Sequence, residues 1–463
     1  MITSPVFRGK RYAVLGLARS GIATVEALLA SGAEVTAWDN REEARAAVSG
    51  VTFADPLEID LAGFDGVVVS PGVPLNKHPI ADHARKAGVP VIGDIELFAL
   101  ARASLPPHKV VGITGTNGKS TTTALIHHIL QTAGVPSLMG GNIGLPILGR
   151  DPLPKGGVYV LELSSYQIDL TFSLDCDVAV LTNITPDHLD RYDGFEGYVA
   201  SKRRLFEMQS ASGAVVIVGT DEQSRRLAKA LESRLVPTAV GSYLGEGVCL
   251  CDSTAIRLLG RNHTTPNTLI VDGGDIYGSQ SDFPALQGPH NAMNLVAAVG
   301  ACYALLRQGV EQSDQAWDSA LRTYPGLPHR MERVAEKGGV LFINDSKATN
   351  ATATAPALAA YPKIHWILGG LPKTDDLDDC APYFDHVRAG YTIGQAGPMF
   401  ANILRAADKP VTESGTLDQA VRDAAAAARP GEVVMLSPAC ASFDQFKDYE
   451  ARGEAFRAAV GAL

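Results

Sequence analysis

Short apolar runs, each ending in a glycine- or proline-containing break and followed by a stretch of helical spacing, recur along the chain. Residues 11–15 (Arg-Tyr-Ala-Val-Leu) predict a strand, 16–21 a turn, 22–30 a helix, and 34–38 a second strand that ends at Asp39. A further strand over 65–69 runs into the breaker Ser70-Pro71-Gly72. After a helix over 95–103 come a strand over 109–113, a helix over 122–130 that stops by Gly134, and strands over 158–163 and 178–183. A helix opens near Pro289 and runs to Leu306, and four more strands follow at 340–345, 364–370, 387–393 and 433–437. Alternation of this kind specifies parallel sheets covered by helices, so the fold class is α/β. Leu105-Pro106-Pro107 and Tyr324-Pro325-Gly326-Leu327-Pro328 break the pattern and predict three domains, at 1–104, 105–326 and 327–463.

Composition narrows the function. A chain of 463 residues with 46% apolar and 19% charged residues has material for several ordinary cores. Its net charge of −10 argues against a general nucleic-acid binder, whose phosphate contacts need a basic face, so phosphate binding here must be local. The six cysteines (Cys176, Cys249, Cys251, Cys302, Cys380, Cys440) form no Cys-x-x-Cys pair and read as reduced, buried thiols, which suits the cytosol. Residues 1–11 have no apolar core of the kind a secretion signal needs, and no apolar run approaches the roughly 20 residues that span a bilayer. A cytoplasmic monomer without a membrane span is expected.

The chemistry concentrates between strand 109–113 and helix 122–130. Gly112-Ile113-Thr114-Gly115-Thr116-Asn117-Gly118-Lys119-Ser120-Thr121 is a phosphate-binding loop: its glycines let backbone N–H groups face phosphate oxygens, and the following helix points its positive end at the same place. Lys119 can reach the terminal phosphates and Ser120 can ligate magnesium. Glu162, a lone carboxylate in the apolar run 158–163, is either a partnered core residue or a metal ligand. His188 emerges just beyond strand 178–183, as a metal or phosphate contact or as a hydrogen-bonded loop residue. On the next helix Tyr198, Val199, Leu205 and Phe206 share an apolar face with Lys202 at its centre, while Arg203 and Arg204 point away. An inward lysine either loses its charge, and can then add carbon dioxide to become a carbamate, or snorkels to water. Wheel position alone favours snorkelling. In the first domain Gly16 and Gly21 stand where a Rossmann-like dinucleotide fingerprint has its first and last glycines, but the middle position is Ala18, which hinders NAD and leaves another diphosphate as the better ligand. In the last third, polar clusters follow the strands: Asp345 to Asn350, then Lys373, then Ser437 to Phe446. They suit an anionic substrate bearing carboxylates.

Seven segments, in order and over essentially the whole chain, resemble the Mur ligases of peptidoglycan synthesis. They are Gly-Thr-Asn-Gly-Lys-Ser-Thr-Thr (115–122), Leu-Glu-Leu-Ser-Ser-Tyr-Gln (161–167), Asn-Ile-Thr-Pro-Asp-His-Leu-Asp-Arg-Tyr (183–192), His-Asn-Ala-Met-Asn (290–294), Pro-His-Arg-Met-Glu (328–332), Asn-Asp-Ser-Lys-Ala-Thr-Asn (344–350) and Ser-Pro-Ala-Cys-Ala-Ser-Phe-Asp-Gln-Phe (437–446). The last two point to the glutamate-adding member. The Asn-Pro-Arg segment of the diaminopimelate-adding relative and the His-His-Pro segment of the alanine-adding one are absent. A folylpolyglutamate synthase-like ligase is the rival, sharing the loop and the three-domain plan, but its pterin substrate would not call for a diphosphate-binding first domain.

The resemblance implies a Rossmann-like first domain, a central P-loop ATPase-type domain and a Rossmann-like α/β third domain. It also implies that ATP phosphorylates the carboxylate of UDP-N-acetylmuramoyl-L-alanine and that D-glutamate attacks the acyl phosphate to form an amide. ATP would be held by Gly115, Thr116, Asn117, Gly118, Lys119, Ser120 and Thr121, with Asn291, Arg330 and Asp345. Ser120 and Glu162 would share one Mg2+, and His188 with carbamylated Lys202 a second. Lys119, His188 and Lys202 would be the catalytic groups. The UDP substrate would lie on Leu17, Ala18 and Arg19, with its uracil near Asp39 and Asn40 and further contacts from Ser70, Gly72, Asn142 and His188. D-glutamate would be gripped by Lys347, Thr349, Lys373, Ser442 and Phe443.

Overall fold

The structure is a computed structural model and describes residues 1–251, 268–272, 275–312 and 314–463. Contacts group the chain into two units, Met1–Gly278 with Met293–Ala320, and Ser279–Ala292 with Leu321–Leu463.

The first unit begins with strands β1 (Arg11–Leu15), β2 (Glu34–Trp38), β3 (Thr52–Phe53), β4 (Gly66–Val69) and β5 (Val91–Ile92), which form a parallel sheet in the order β3-β2-β1-β4-β5. The order reverses between β1 and β4, the place where open α/β sheets bind ligands beyond their carboxyl ends. A second parallel sheet follows, built from β6 (His108–Thr114), β7 (Ser137–Gly141), β8 (Gly157–Glu162), β9 (Val178–Leu181) and β10 (Ala214–Ile217) in the order β10-β9-β6-β8-β7. Every residue of β8 and β9 is buried, and each fully buried Val or Leu side chain is worth about 1.5–3 kcal/mol relative to exposure. One apolar cluster runs from Val14 and Val25 through Phe98 and Tyr159 to Leu181 and Phe206, which joins both sheets in one core. A smaller sheet, β11 (Thr238–Val240), β12 (Val248–Cys251), β13 (Thr268–Val271) and β14 (Asp275–Ser279), completes this part of the chain. It pairs parallel between β11 and β12 but antiparallel between β12 and β13, and the apolar pattern did not predict it.

The second unit holds β15 (Glu332–Lys337), β16 (Val340–Asn344), β17 (Ile364–Gly369), β18 (Val387–Ile393), β19 (Val411–Gly415) and β20 (Val433–Leu436), in the order β15-β16-β20-β17-β18-β19. All are parallel except β15, which pairs antiparallel with β16. The four strands the apolar runs predicted are its four central ones. The half-buried edge strands β15 and β19 lack a continuous apolar run and were missed. All six cysteines are free and buried.

Candidate active site

Three loops meet at the carboxyl end of the second sheet because β8 and β9 flank β6. The loop after β6 is braced by the residues after β9. The Thr116 N–H donates to the Asn183 carbonyl (2.9 Å), the Asn117 N–H to Asn183 Oδ1 (3.0 Å), and Thr182 Oγ1 to the Asn117 carbonyl (2.6 Å). Gly115 has a φ of +149°, and a Cβ there would stand 1.9 Å from Thr182 Oγ1, so only glycine fits. The following helix starts at Lys119 and runs to Thr132, so its positive N-terminal end adjoins the loop. Lys119 folds back so that its Nζ donates to the carbonyls of Gly115 (3.0 Å) and Thr116 (2.8 Å). Ser120 is buried and Thr121 half-buried.

Glu162 closes β8 opposite Ile113 of β6. It is 2% exposed. Oε1 accepts from Asn142 Nδ2 (3.0 Å), while Oε2 is buried and has no hydrogen-bond partner among the described residues. Such an orphaned acceptor is costly unless a cation or donor completes it. Lys202, on the helix Gly194–Glu207, is 1% exposed, which rules out the snorkelling arrangement. Its Nζ donates to the Gly115 carbonyl (2.7 Å), the same oxygen that Lys119 contacts, and lies 4.5 Å from the centre of the Tyr198 ring. Burial first, then the neighbouring Lys119 charge, push its ammonium well below the usual lysine range. The Tyr198 hydroxyl pairs with Thr116 Oγ1 (3.2 Å), so this ring ties the lysine helix to the loop. Arg204 does not point away as the helical wheel predicts: it donates to the Thr171 carbonyl (2.8 Å) and covers the Phe172 ring.

His188 has a left-handed backbone (φ 53°) and a side chain about half exposed, with its ring 5.2 Å from Tyr166 and 6.4 Å from Tyr198. The loop carrying it is tied to the first domain, since Arg191 donates to the Gly72 carbonyl (3.2 Å) and Asn76 to the Asp190 carbonyl (3.0 Å). Among the described residues, no group of three His, Cys, Asp or Glu side chains could hold a metal by itself. A cation here would depend on Lys202 or on ligand oxygens.

In the first sheet the turn after β1 is held from two sides. The Leu17 N–H donates to Asp39 Oδ2 (2.8 Å), and Ser70 Oγ donates to the Gly16 carbonyl (2.9 Å). A Cβ on Gly21 would sit 1.9 Å from the Gly16 oxygen, which accounts for that glycine. Partial burial raises the Asp39 carboxyl, but hydrogen bonds from Arg41 and the Leu17 N–H outweigh it and hold the group at about 2. Asp39 therefore braces the turn, while Ala18, Arg19, Asn40 and Gly72 are exposed beside it.

The second unit carries the remaining predicted residues. Asp345 and Ser437 follow β16 and β20, and Ser437 Oγ donates to Asp345 Oδ2 (2.7 Å) while the Met331 N–H donates to Oδ1 (3.1 Å). Burial pushes the Asp345 carboxyl up to about 7. Lys347 Nζ donates to the Tyr449 hydroxyl (3.0 Å), and Lys373 Nζ to Thr349 Oγ1 (3.0 Å). Ser442 is buried, whereas Phe443 is 69% exposed, a large apolar side chain held in solvent. Asn291 is buried and donates to the Gln287 carbonyl (3.0 Å), and Arg330 is half-buried.

Residues 10–93 match the description "Mur ligase MurD-like, N-terminal domain", 113–302 "Mur ligase middle domain" and 329–440 "Mur ligase, glutamate ligase domain". The chain is 62% identical over its full length to the UDP-N-acetylmuramoylalanine--D-glutamate ligase of Novosphingobium aromaticivorans, covering 97% of that protein. The chain belongs to the Mur ligase family. The enzyme of the same name from Caulobacter vibrioides is 44% identical, with 100% of this chain and 98% of that protein covered. Among solved structures, a Mur ligase fold recurs in the UDP-N-acetylmuramate-alanine ligase of Thermotoga maritima (TM-score 0.57, 17% identity, 98% and 99% of the two chains). Escherichia coli FolC shares it over 80% of this chain and 93% of its own (TM-score 0.53, 17% identity), a more distant likeness than the full-length Mur ligase matches. Mur ligases are ATP-dependent ligases. Among the described residues no helix is long and apolar enough to cross a membrane.

The sequence reading named most of these residues but not what holds them. Thr182 and Asn183 are the last two residues of the predicted strand 178–183, just past the observed strand end at Leu181, and that position is the signal that could have marked them. Tyr198 was read only as part of an apolar face. Arg191 lies inside the segment 183–192 but has no role that its sequence neighbours indicate.

Proposed function

We propose that this protein joins D-glutamate to UDP-N-acetylmuramoyl-L-alanine at the expense of ATP, by way of an acyl phosphate. The observation that carries this reading is the full-length 62% identity to a ligase of that name. The geometry supports it through a phosphate loop flanked by an unpartnered buried carboxylate oxygen and a buried lysine. In the first step a carboxylate oxygen attacks the γ-phosphorus of ATP and ADP leaves. In the second the amine attacks the acyl carbon, phosphate leaves, and the amine loses a proton. Activation is needed because a carboxylate is a poor electrophile.

Lys119 offers its ammonium to the terminal phosphates, trading the two carbonyls it now contacts for phosphate oxygens. Gly115, Thr116, Asn117, Gly118, Ser120 and Thr121 line the nucleotide, and Asn291, Arg330 and Asp345 keep the nucleotide contacts the resemblance implies. Glu162 and Ser120 fit one magnesium ion, since Glu162 Oε2 has no hydrogen-bond partner among the described residues. His188 and Lys202 fit a second if the neutral Lys202 amine adds carbon dioxide and releases a proton, giving a carbamate. Bound magnesium supplies positive charge that offsets the crowded oxygens of the phosphoryl transfer. The turn at Leu17, Ala18 and Arg19, with Asp39, Asn40, Ser70, Gly72 and Asn142, holds the UDP substrate. Lys347, Thr349, Lys373, Ser442 and Phe443 hold D-glutamate.

The domains are assigned as 1–104 for the UDP substrate, 105–326 for ATP and 327–463 for the amino acid, in a cytoplasmic monomer. Phosphate release from ATP tests the reading directly. It is expected only when the UDP-sugar and D-glutamate are both present, and release with a pterin and L-glutamate instead would favour the folylpolyglutamate alternative.

A further inference from the structure

Arg452 is one of the largest side chains sealed inside the second unit, with 0% of its surface exposed. It sits on the helix Tyr449–Gly461, which Asp448 caps by accepting the Ala451 N–H (2.7 Å). Its guanidinium reaches two separate loops. Nε donates to Ser346 Oγ (3.0 Å) and Nη2 to the Ser346 carbonyl (2.8 Å), while Nη2 and Nη1 donate to the carbonyls of Cys440 (3.1 Å) and Ala441 (3.3 Å). Ser346 Oγ in turn donates to the Tyr449 carbonyl (2.9 Å), which closes the arrangement on the start of the same helix.

Ser346 stands between Asp345 and Lys347 after β16, and Cys440 and Ala441 stand just before Ser442 and Phe443 after β20. A planar fork with donors at fixed angles therefore sets how far apart these two loops lie, which a flexible ammonium could not do. Burial lowers the Arg452 pKa, yet only to about 10, so the group is a buried cation at neutral pH. Volume alone does not call for a cation here, since an apolar side chain of similar size commonly fills such a place at no loss of stability. The charged fork is explained by the carbonyls it gathers.

We propose that Arg452 is a positioning residue for the amino-acid end of the site, holding residues 345–349 and 440–443 at the spacing at which Lys347, Thr349 and Ser442 grip D-glutamate. The proposal rests on the assigned function for the identity of the amino acid, but not for the loop spacing. Two readouts separate these. In Arg452→Lys, hydrogen exchange without substrates should quicken by about tenfold or more at Lys347 and Ala441 and stay unchanged on the far strands β18 and β19. In steady-state kinetics the same variant should raise the KM for D-glutamate by about tenfold or more, with the KM values for ATP and the UDP-sugar within about twofold of wild type. Ser346→Ala, which deletes one of the four contacts and is milder, should shift the same KM in the same direction by a smaller factor. Unchanged exchange at both loops overturns the proposal, and so does a uniform loss of active enzyme with every KM unaltered. If wild-type turnover proves independent of D-glutamate, the functional reading fails, while the exchange result still decides the role of Arg452 in the loops.

Discussion

Glu162→Gln tests whether the central sheet is built around a cation. Glu162 is 2% exposed, and its Oε1 is satisfied by Asn142 at 3.0 Å while Oε2 has no hydrogen-bond partner among the described residues. A buried acceptor left unmade costs about 1–3 kcal/mol, and more when it is charged. Glutamine keeps the volume and can still accept from Asn142. Its amide nitrogen stays unpaired at the Oε2 position but brings no charge. In EDTA the variant should therefore be no less stable than wild type, and up to about 2 kcal/mol more so, a shift of a few degrees for a unit of this size. Magnesium with a non-hydrolysable ATP analogue should reverse the order. A ligand at 100 times its Kd adds about 2.7 kcal/mol to the wild type, whereas the variant has lost the anionic metal ligand and should gain less than about 1 kcal/mol under the same conditions. Thermal unfolding followed by tryptophan fluorescence, with and without metal and analogue, reads both differences, and turnover should fall by about 100-fold or more. A variant that is clearly destabilised in EDTA yet keeps the full metal-dependent shift would make Glu162 a structural hydrogen-bond partner and not a metal ligand.

Lys119→Ala should abolish turnover but leave UDP-substrate binding within about twofold, because that substrate is assigned to the turn after β1; a calorimetric titration showing equal loss of both would refute the partition. Lys202→Ala should remove most activity, high concentrations of small carboxylic acids should restore part of it, and Lys202→Arg should stay inactive. Wild-type enzyme given carbon-13 bicarbonate should show a carbamate signal, and its absence together with an active Lys202→Arg would return Lys202 to a purely structural role. Asp345 has its carboxyl raised from 3.8 to about 7 by burial, so the folded state holds a proton that the unfolded chain releases. Its contribution to stability is complete below about pH 4 and is lost as the pH rises through about 7. Unfolding midpoints across that window should fall less steeply in Asp345→Asn, and parallel slopes would contradict the assignment.

The linear pattern by itself determined the parallel α/β class and the identity of the phosphate loop. Arg11–Leu15, Glu34–Trp38 and Val387–Ile393 match their predicted strands residue for residue, because each carries an apolar run or alternation whose inward positions are buried and which turn-forming residues bound. Edge strands lack a continuous apolar run, which is why β15 and β19 were not legible, whereas β12 and β13 of the small sheet are buried throughout and were not predicted either. The loop residues Gly115, Gly118, Lys119 and Ser120 could be named in advance because their chemistry depends on neighbours in sequence. The rest of the site could not. Wheel position alone favours a Lys202 that snorkels to water, and packing decides otherwise by sealing its amine beneath Tyr198 against the Gly115 carbonyl, 87 residues earlier in the chain. The free oxygen of Glu162 was equally hidden, since a missing partner is a property of everything folded around it. Arg452 lies 106 residues from the Ser346 carbonyl it holds. No local pattern encodes such a contact, because the two segments meet only when strand order places β20 beside β16.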